Sequence, residues 1–230
     1  MKMKNKKTGQ MDDRQKLKIK RRSNPNLNRS FAGLPEKPYI LIVCEGKNTE
    51  PSYFKHFRLS SAIVKSVGEG YNTISLVNRA IQLSSQEKYD QVWCVFDKDD
   101  FSENDFNNAI QTAQAQKFGI AYSNQSFEYW FILHFDDHQG GGMHRKDYNK
   151  RINNLIKPFH VKYDGKGGKK VEEDFFELLE RTDEKTGKKR VDLAIERAEK
   201  IYNNSDRSNP AHAESSTTVF RLVKELLKYL

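Results

Sequence analysis

The sequence predicts an α/β fold with a mainly parallel four-stranded sheet, followed by a helical C-terminal part. Short apolar, β-branched runs alternate with amphipathic segments between residues 39 and 135, which is typical of strand–helix repeats with right-handed crossovers. The pattern stops at a polar, glycine-rich stretch over residues 136–143. Beyond that stretch, apolar residues recur at helical spacing.

The elements are predicted in the following order. Strands are expected at residues 39–44, 62–67, 92–96 and 118–122, the first of them a continuous apolar run typical of a strand covered on both faces. Helices are expected between these strands, from residue 49 or 50 onward, at 73–84 and at 103–117. Residues 127–135 are apolar on all sides, which predicts a buried helix. Further helices are expected at 146–157, 171–180 and 191–202, and a last one, capped by residue 216 or 217, through 230.

These patterns predict three parts. Residues 1–37 are expected to form a disordered basic arm, residues 38–136 the α/β core, and residues 137–230 a helical cap or insertion whose last helix can pack back on the core. The net charge of +9 supports the arm, because residues 1–38 hold 12 Lys/Arg against three Asp/Glu and so account for the whole excess. A basic segment without apolar periodicity is typical of disorder.

Basic residues in two segments are candidates for binding the phosphates of DNA or RNA. They are Lys16, Lys18, Lys20, Arg21 and Arg22 in the arm, and Lys166, Lys169 and Lys170 in a later glycine-rich loop. A solubilising tail and a solvated loop are the structural alternatives. No apolar run approaches the roughly 20 residues of a membrane span, and the start lacks the apolar core of a signal peptide. We therefore expect a cytoplasmic protein with no membrane partner.

Acidic residues follow two of the predicted strands. Glu45 and Glu50 come after the first strand, and Asp97 and Asp99 after the third. The carboxyl ends of parallel strands meet at the edge where such sheets bind ligands, and crowded carboxylates there raise one another's pKa unless a cation offsets their charge. Alternation along an extended backbone would point Asp97 and Asp99 the same way. We therefore predict that Glu45, Glu50, Asp97 and Asp99 bind Mg²⁺ or Mn²⁺, with Glu45, Asp97 and Asp99 as the catalytic residues.

Two further residues are candidates with open alternatives. Glu128 can approach the metal from the end of the fourth strand, or lie at the exposed edge of an otherwise apolar helix. Lys47, in the turn beside Glu45, can contact a phosphate or only solvent.

Four stretches carry a resemblance to a known family. They are CEGKNTEPSYF at residues 44–54, FDKDDF at 96–101, NQSFEYWFILHF at 124–135 and STTVFRLV at 216–223. They resemble the RloB-like family, small toprim proteins often encoded near restriction or abortive-infection loci. The order of elements also resembles the toprim domain, in which a strand, a Glu-Gly turn and a helix are followed by a second strand that ends in Asp-x-Asp. This domain is shared by topoisomerases, bacterial primases, overcoming-lysogenization-defect nucleases and RecR-type proteins.

The resemblance implies a Rossmann-like toprim fold and Mg²⁺-dependent phosphodiester chemistry. Glu45 matches the toprim glutamate, Asp97 and Asp99 match the Asp-x-Asp pair, and Glu50 matches a second acid of the overcoming-lysogenization-defect form. The predicted function is therefore a metal-dependent nuclease acting on DNA or RNA in anti-phage defence. One alternative is a non-catalytic toprim module that serves nucleic-acid binding or assembly. The other is a nucleotidyl transferase. A second copy of the chain or a defence-system protein is a further possible partner, through the amphipathic C-terminal helix.

Overall fold

The computed structural model describes residues 37–66, 73–99 and 102–230. Residues 37–230 form one compact unit. The predicted basic arm lies outside the described residues except for Lys37, and so do the candidate phosphate contacts between Lys16 and Arg22. No helix in the described part of the chain is long and apolar enough to cross a membrane.

The described residues form a mixed sheet of five strands in the order β2-β1-β3-β4-β5. The strands are β1 (Ile40–Cys44), β2 (Ala62–Ser66), β3 (Gln91–Asp97), β4 (Gly119–Asn124) and β5 (Ser216–Thr217). The first four are parallel, and β5 runs antiparallel to β4. The α/β prediction is confirmed, but the predicted number of four strands is wrong, because the two residues expected to cap the last helix form an antiparallel fifth strand at the edge and make the sheet mixed.

Eight α-helices accompany the sheet within the described residues. They are α1 (Thr49–Lys55), α2 (Thr73–Gln86), α3 (Glu103–Ala115), α4 (Glu128–Leu133), α5 (Arg145–Ile156), α6 (Glu173–Glu180), α7 (Arg190–Asn204) and α8 (Val219–Leu227). Short 3₁₀ turns occur at Lys157–Phe159 and Pro210–His212.

The strand β1, which lies between β2 and β3 in the sheet, is buried on both faces, as its continuous apolar sequence predicts. Ile40 and Ile42 of β1 face a core that contains α1 and the later helices, whereas Leu41 and Val43 face a core built with α2 and α3. The first of these cores includes side chains from both the predicted α/β part and the predicted helical part, so the two parts share one apolar interior across residue 136. Phe131 of α4 illustrates the join, because its ring packs edge-on against that of Phe175 of α6, with the ring centroids 5.2 Å apart.

The strand order creates a switch point between β1 and β3. The chain leaves β1 for β2 on one side and then crosses to β3 on the other, with α1 and α2 on opposite faces of the sheet. A crevice at the carboxyl ends of the strands is expected at such a point, and it is the usual ligand-binding position of open α/β sheets. Glu45 follows β1 and Asp97 ends β3, so both lie at this position.

Candidate functional site

The ends of β1 and β3 are joined through Glu45. Its backbone N–H donates to the carbonyl of Val95 at 2.9 Å, which continues the parallel ladder by one residue. Its carboxylate oxygen Oε2 then accepts a hydrogen bond from the backbone N–H of Asp97 at 3.2 Å. Burial raises the pKa of Glu45, while this hydrogen bond and the positive charge of Arg145 lower it. The Glu45 carboxylate therefore lies across the carboxyl end of β3.

Glu50 turns back from the first turn of α1 toward the Glu45–Gly46 turn. The backbone N–H of Gly46 donates to Glu50 Oε1 at 3.3 Å, and a Cβ at residue 46 would lie 2.3 Å from Glu50 Oε2. Glycine is therefore required at 46 for the Glu50 carboxylate to occupy this place. Glu50 is only 5% exposed, and its burial, followed by the negative charges of Glu128 and Glu45, raises its pKa to about 7.

The pKa of Asp97 is raised by burial and by the negative charges of three neighbouring glutamates. Burial raises its pKa well above the ordinary value, and the charges of Glu50, Glu128 and Glu45 raise it further, whereas a hydrogen bond from the backbone of Phe127 opposes the change. Besides burial, two of these charges, those of Glu128 and Glu45, also raise the pKa of Glu50. Glu45, Glu50, Asp97 and Glu128 thus form one electrostatically coupled group, which we name the acidic cluster.

Glu128 belongs to the acidic cluster and is held there by two hydroxyl groups. Ser126 Oγ donates to Glu128 Oε2 at 2.7 Å, and the hydroxyl of Tyr163 donates to Oε1 at 2.9 Å. Tyr163 is buried and lies between α5 and α6, far along the chain. Of the two sequence alternatives for Glu128, the structure therefore favours the position beside the other acids.

Asp99 faces a different partner. It forms an ion pair with Arg145, the first residue of α5. The expected common orientation of Asp97 and Asp99 is wrong, because β3 ends at Asp97 and the backbone of Asp99 has a φ of 20°, so that strand alternation does not extend to it. The structure brings three of the four predicted metal ligands together, namely Glu45, Glu50 and Asp97, and places Glu128 with them. The fourth predicted ligand, Asp99, is instead paired with Arg145.

The acidic cluster suits a hard divalent cation by the chemistry of its donors. Carboxylate oxygens are the protein ligands that Mg²⁺ and Mn²⁺ prefer, and a cation would offset the mutual repulsion that raises the pKa values of Glu50 and Asp97. Among the described residues, however, no three His, Cys, Asp or Glu side chains are arranged as a ready-made metal-binding group. The hydrogen bonds explain this, since Glu45, Glu50 and Glu128 direct oxygens at backbone and hydroxyl donors rather than at one shared point.

Basic residues of the glycine-rich loop lie close in structure to the first turn of α1. Thr49 Oγ1 donates to the backbone carbonyl of Lys169 at 2.9 Å, and Ser52 Oγ accepts from the backbone N–H of Val171 at 2.9 Å. The side chains of Lys166, Lys169 and Lys170 are exposed, as is Lys47 in the turn after Glu45.

Sequence reasoning missed Tyr163 and Arg145. Tyr163 carries no local signal, because its contact with Glu128 depends on how the helical part folds back on the sheet. Arg145 has a signal that could have been used. It lies in the run His144-Arg145-Lys146 at the start of α5, where the helix dipole disfavours cations. Basic residues at such a position indicate that an acidic partner lies nearby.

Comparison with known proteins identifies the family. No curated protein and no solved structure matches the chain. The family model described as RloB-like protein matches residues 40–226 of the 230-residue chain, a span that includes the whole acidic cluster. The chain therefore belongs to the RloB-like protein family.

Proposed function

We propose that this chain is a Mg²⁺- or Mn²⁺-dependent nuclease with a toprim-like sheet, which hydrolyses phosphodiester bonds of DNA or RNA. The observation that carries the proposal is the acidic cluster at the β1/β3 switch point. Buried and half-buried carboxylates that raise one another's pKa destabilise a protein at neutral pH, and a bound cation or a catalytic role would account for their grouping.

The proposed roles follow from the position of each side chain. Glu50 and Asp97 would hold the metal, with Glu45 and Glu128 able to contribute oxygens from either side. When bound, the ion supplies Lewis acidity toward the phosphate and lowers the pKa of water. Glu45 would accept the proton of the attacking water, and its raised pKa makes it a stronger base for this role than an ordinary glutamate. Asp99 would act indirectly, by positioning Arg145. The guanidinium of Arg145 can bind a phosphate oxygen of the substrate.

The basic loop supports nucleic acid as the substrate. Hydrogen bonds from Thr49 and to Ser52 fasten the segment that carries Lys166, Lys169 and Lys170 beside the turn of α1 that bears Glu50. A DNA or RNA strand whose scissile phosphate lies at the acidic cluster would therefore run beside this exposed, positively charged segment. The role in anti-phage defence rests on the resemblance to toprim proteins of abortive-infection loci.

A cleavage assay tests the proposal. Labelled DNA, messenger RNA and transfer RNA are incubated with the full chain in Mg²⁺ or Mn²⁺, beside Asp97→Asn and a control, Asp137→Asn, which changes an exposed acid away from the cluster. We expect the wild type and Asp137→Asn to cleave at least one substrate, EDTA to stop cleavage, and Asp97→Asn to be inactive.

Three other outcomes would lead to different conclusions. Equal cleavage by Asp97→Asn and the wild type would place the chemistry elsewhere. Binding of nucleic acid without cleavage under any condition would favour a non-catalytic module. Products that need nucleoside triphosphates would favour a nucleotidyl transferase.

A further inference from the structure

A stack of one tyrosine and two arginines lies outside the acidic cluster. Tyr202, near the end of α7, has the guanidinium carbons of Arg207 and Arg221 at 5.1 and 4.4 Å from its ring centroid. We name these three residues the arginine–tyrosine wall. All three line two adjoining cavities, one of about 160 Å³ and one of about 450 Å³.

Both guanidinium groups of the wall are exposed and lack a carboxylate partner among the described residues. Arg207 donates to the amide oxygen of Asn203 at 2.9 Å, and the guanidinium of Arg221 lies over the rings of Tyr202 and Phe220. The neighbouring lysines differ, because Lys224 and Lys228 each pair with a glutamate. A planar guanidinium without a carboxylate presents a fork of donors that matches phosphate.

The smaller cavity is lined by groups that can hydrogen-bond a flat heterocycle. Tyr122 is 5% exposed, and its hydroxyl forms no hydrogen bond with the described residues. The side-chain oxygen of Asn107 is buried without a partner, and the amides of Gln111 and Gln114 complete the polar lining. Amide side chains read the edges of nucleobases, and tyrosine and arginine stack on their faces.

The size of the cavities limits the ligand. A volume of about 160 Å³ is below the roughly 300–1,000 Å³ of pockets that hold a whole small molecule, so this cavity would take one part of a ligand. The adjoining cavity of about 450 Å³ lies across the wall and can take the remainder. A base in the smaller cavity would bring its attached phosphate to Arg207 and Arg221.

We propose that the arginine–tyrosine wall and its two cavities bind a phosphorylated nucleoside, either a free nucleotide or one nucleotide of a strand. None of the residues that line these cavities belongs to the acidic cluster, so the site is separate from the proposed catalytic centre. Binding here does not depend on whether the chain cleaves nucleic acid.

Calorimetric titration of the full chain tests the proposal with AMP, ATP, inorganic phosphate and short single-stranded DNA and RNA. One variant combines Arg207→Gln with Arg221→Gln. A second variant, Tyr202→Leu, removes the aromatic ring and leaves the charge unchanged. Arg79→Gln is the matched control, since Arg79 is exposed on α2 and lines neither cavity. Thermal melts verify that each variant is folded.

We expect the wild type and Arg79→Gln to bind a nucleotide or an oligonucleotide equally well. The double arginine variant should bind roughly tenfold or more weakly, as expected for the loss of charge-assisted hydrogen bonds, and Tyr202→Leu should also weaken binding. Tighter binding of AMP and ATP than of oligonucleotides identifies a free nucleotide, and the reverse identifies a strand. The proposal is overturned if no probe binds at millimolar concentration, if the double arginine variant binds like the wild type, or if inorganic phosphate binds as tightly as AMP.

Discussion

The carboxylate of Glu45 accepts a hydrogen bond from the backbone N–H of Asp97 at 3.2 Å, which joins the carboxyl ends of β1 and β3. This contact places an acid with a raised pKa directly against the last residue of the neighbouring strand. The proposed chemistry depends on the charge of Glu45, whereas the fold at this point depends only on its hydrogen-bond acceptor. A substitution can separate the two.

Glu45→Gln should abolish cleavage without unfolding the protein. The amide oxygen of glutamine can still accept from the N–H of Asp97, but the side chain can no longer take a proton or help to hold a cation. We expect cleavage to fall by roughly 100-fold or more, as for the removal of a general base. Cleavage rates and thermal melts of the variant and the wild type measure both effects. Retained cleavage would remove Glu45 from the mechanism.

Gly46→Ala should displace the Glu50 carboxylate and leave the backbone in place. The atom that the new Cβ would meet, at 2.3 Å, is the end of a flexible side chain, and the backbone of Gly46 is not in the left-handed region. We expect cleavage to fall about as far as in Glu50→Gln, with a loss of stability of no more than about 1 kcal/mol. Urea unfolding and cleavage assays compare the two variants. Full activity of Gly46→Ala would show that the position of Glu50 is unimportant.

Glu50→Gln should change how stability depends on pH. The pKa of Glu50 is about 7 in the folded chain against an ordinary value of 4.5, so the folded state binds its proton more tightly. The resulting stabilisation is complete below pH 4.5 and is lost as the pH rises through 7. Glutamine stays neutral, so the variant should match the wild type at low pH and exceed its stability above pH 7 by at most about 3 kcal/mol.

Urea unfolding in EDTA at pH 5 and pH 8 measures this difference, with Glu177→Gln, an exposed acid of α6, as the control. Added Mg²⁺ should stabilise the wild type at pH 8 more than Glu50→Gln, because the cation offsets the charge that the variant lacks. A stability difference that is the same at both pH values would mean that Glu50 titrates normally.

Asp99 and Arg145 should act as a pair in catalysis. Because Asp99 binds Arg145, whereas Asp97 has the other acids as its neighbours, Asp99→Asn should reduce cleavage less than Asp97→Asn does. Arg145→Gln should reduce cleavage by a similar factor, and the double variant should be no worse than the more damaging single change. Cleavage rates of the four proteins form the test. An Asp99→Asn variant as inactive as Asp97→Asn would instead show that Asp99 reaches the metal.

The sequence predicted the strands of the parallel sheet and three members of the acidic cluster because those features are local. Continuous apolar runs mark β1, β3 and β4, and the acids follow directly in the chain. The fifth strand could not be predicted in this way, because two residues, Ser216 and Thr217, are too few to show alternation, and their partners in β4 lie far away along the chain.

Long-range contacts explain the remaining differences. Tyr163 reaches Glu128 and Arg145 reaches Asp99 from segments far along the chain, and no periodicity encodes those distances. The expected alignment of Asp97 with Asp99 failed because β3 ends at Asp97, two residues before Asp99. A local pattern therefore identified the acids, and tertiary packing decides which of them meet.

Binding of Mn²⁺, followed by electron paramagnetic resonance in the absence of nucleic acid, shows whether the acidic cluster holds a metal ion. Titrations compare the wild-type chain with Asp97→Asn and with Asp137→Asn at pH 8. The account predicts saturable binding to the wild type and to Asp137→Asn, and roughly tenfold or more weaker binding to Asp97→Asn. Equal binding by all three proteins, or none by the wild type, would contradict a metal site at the acidic cluster.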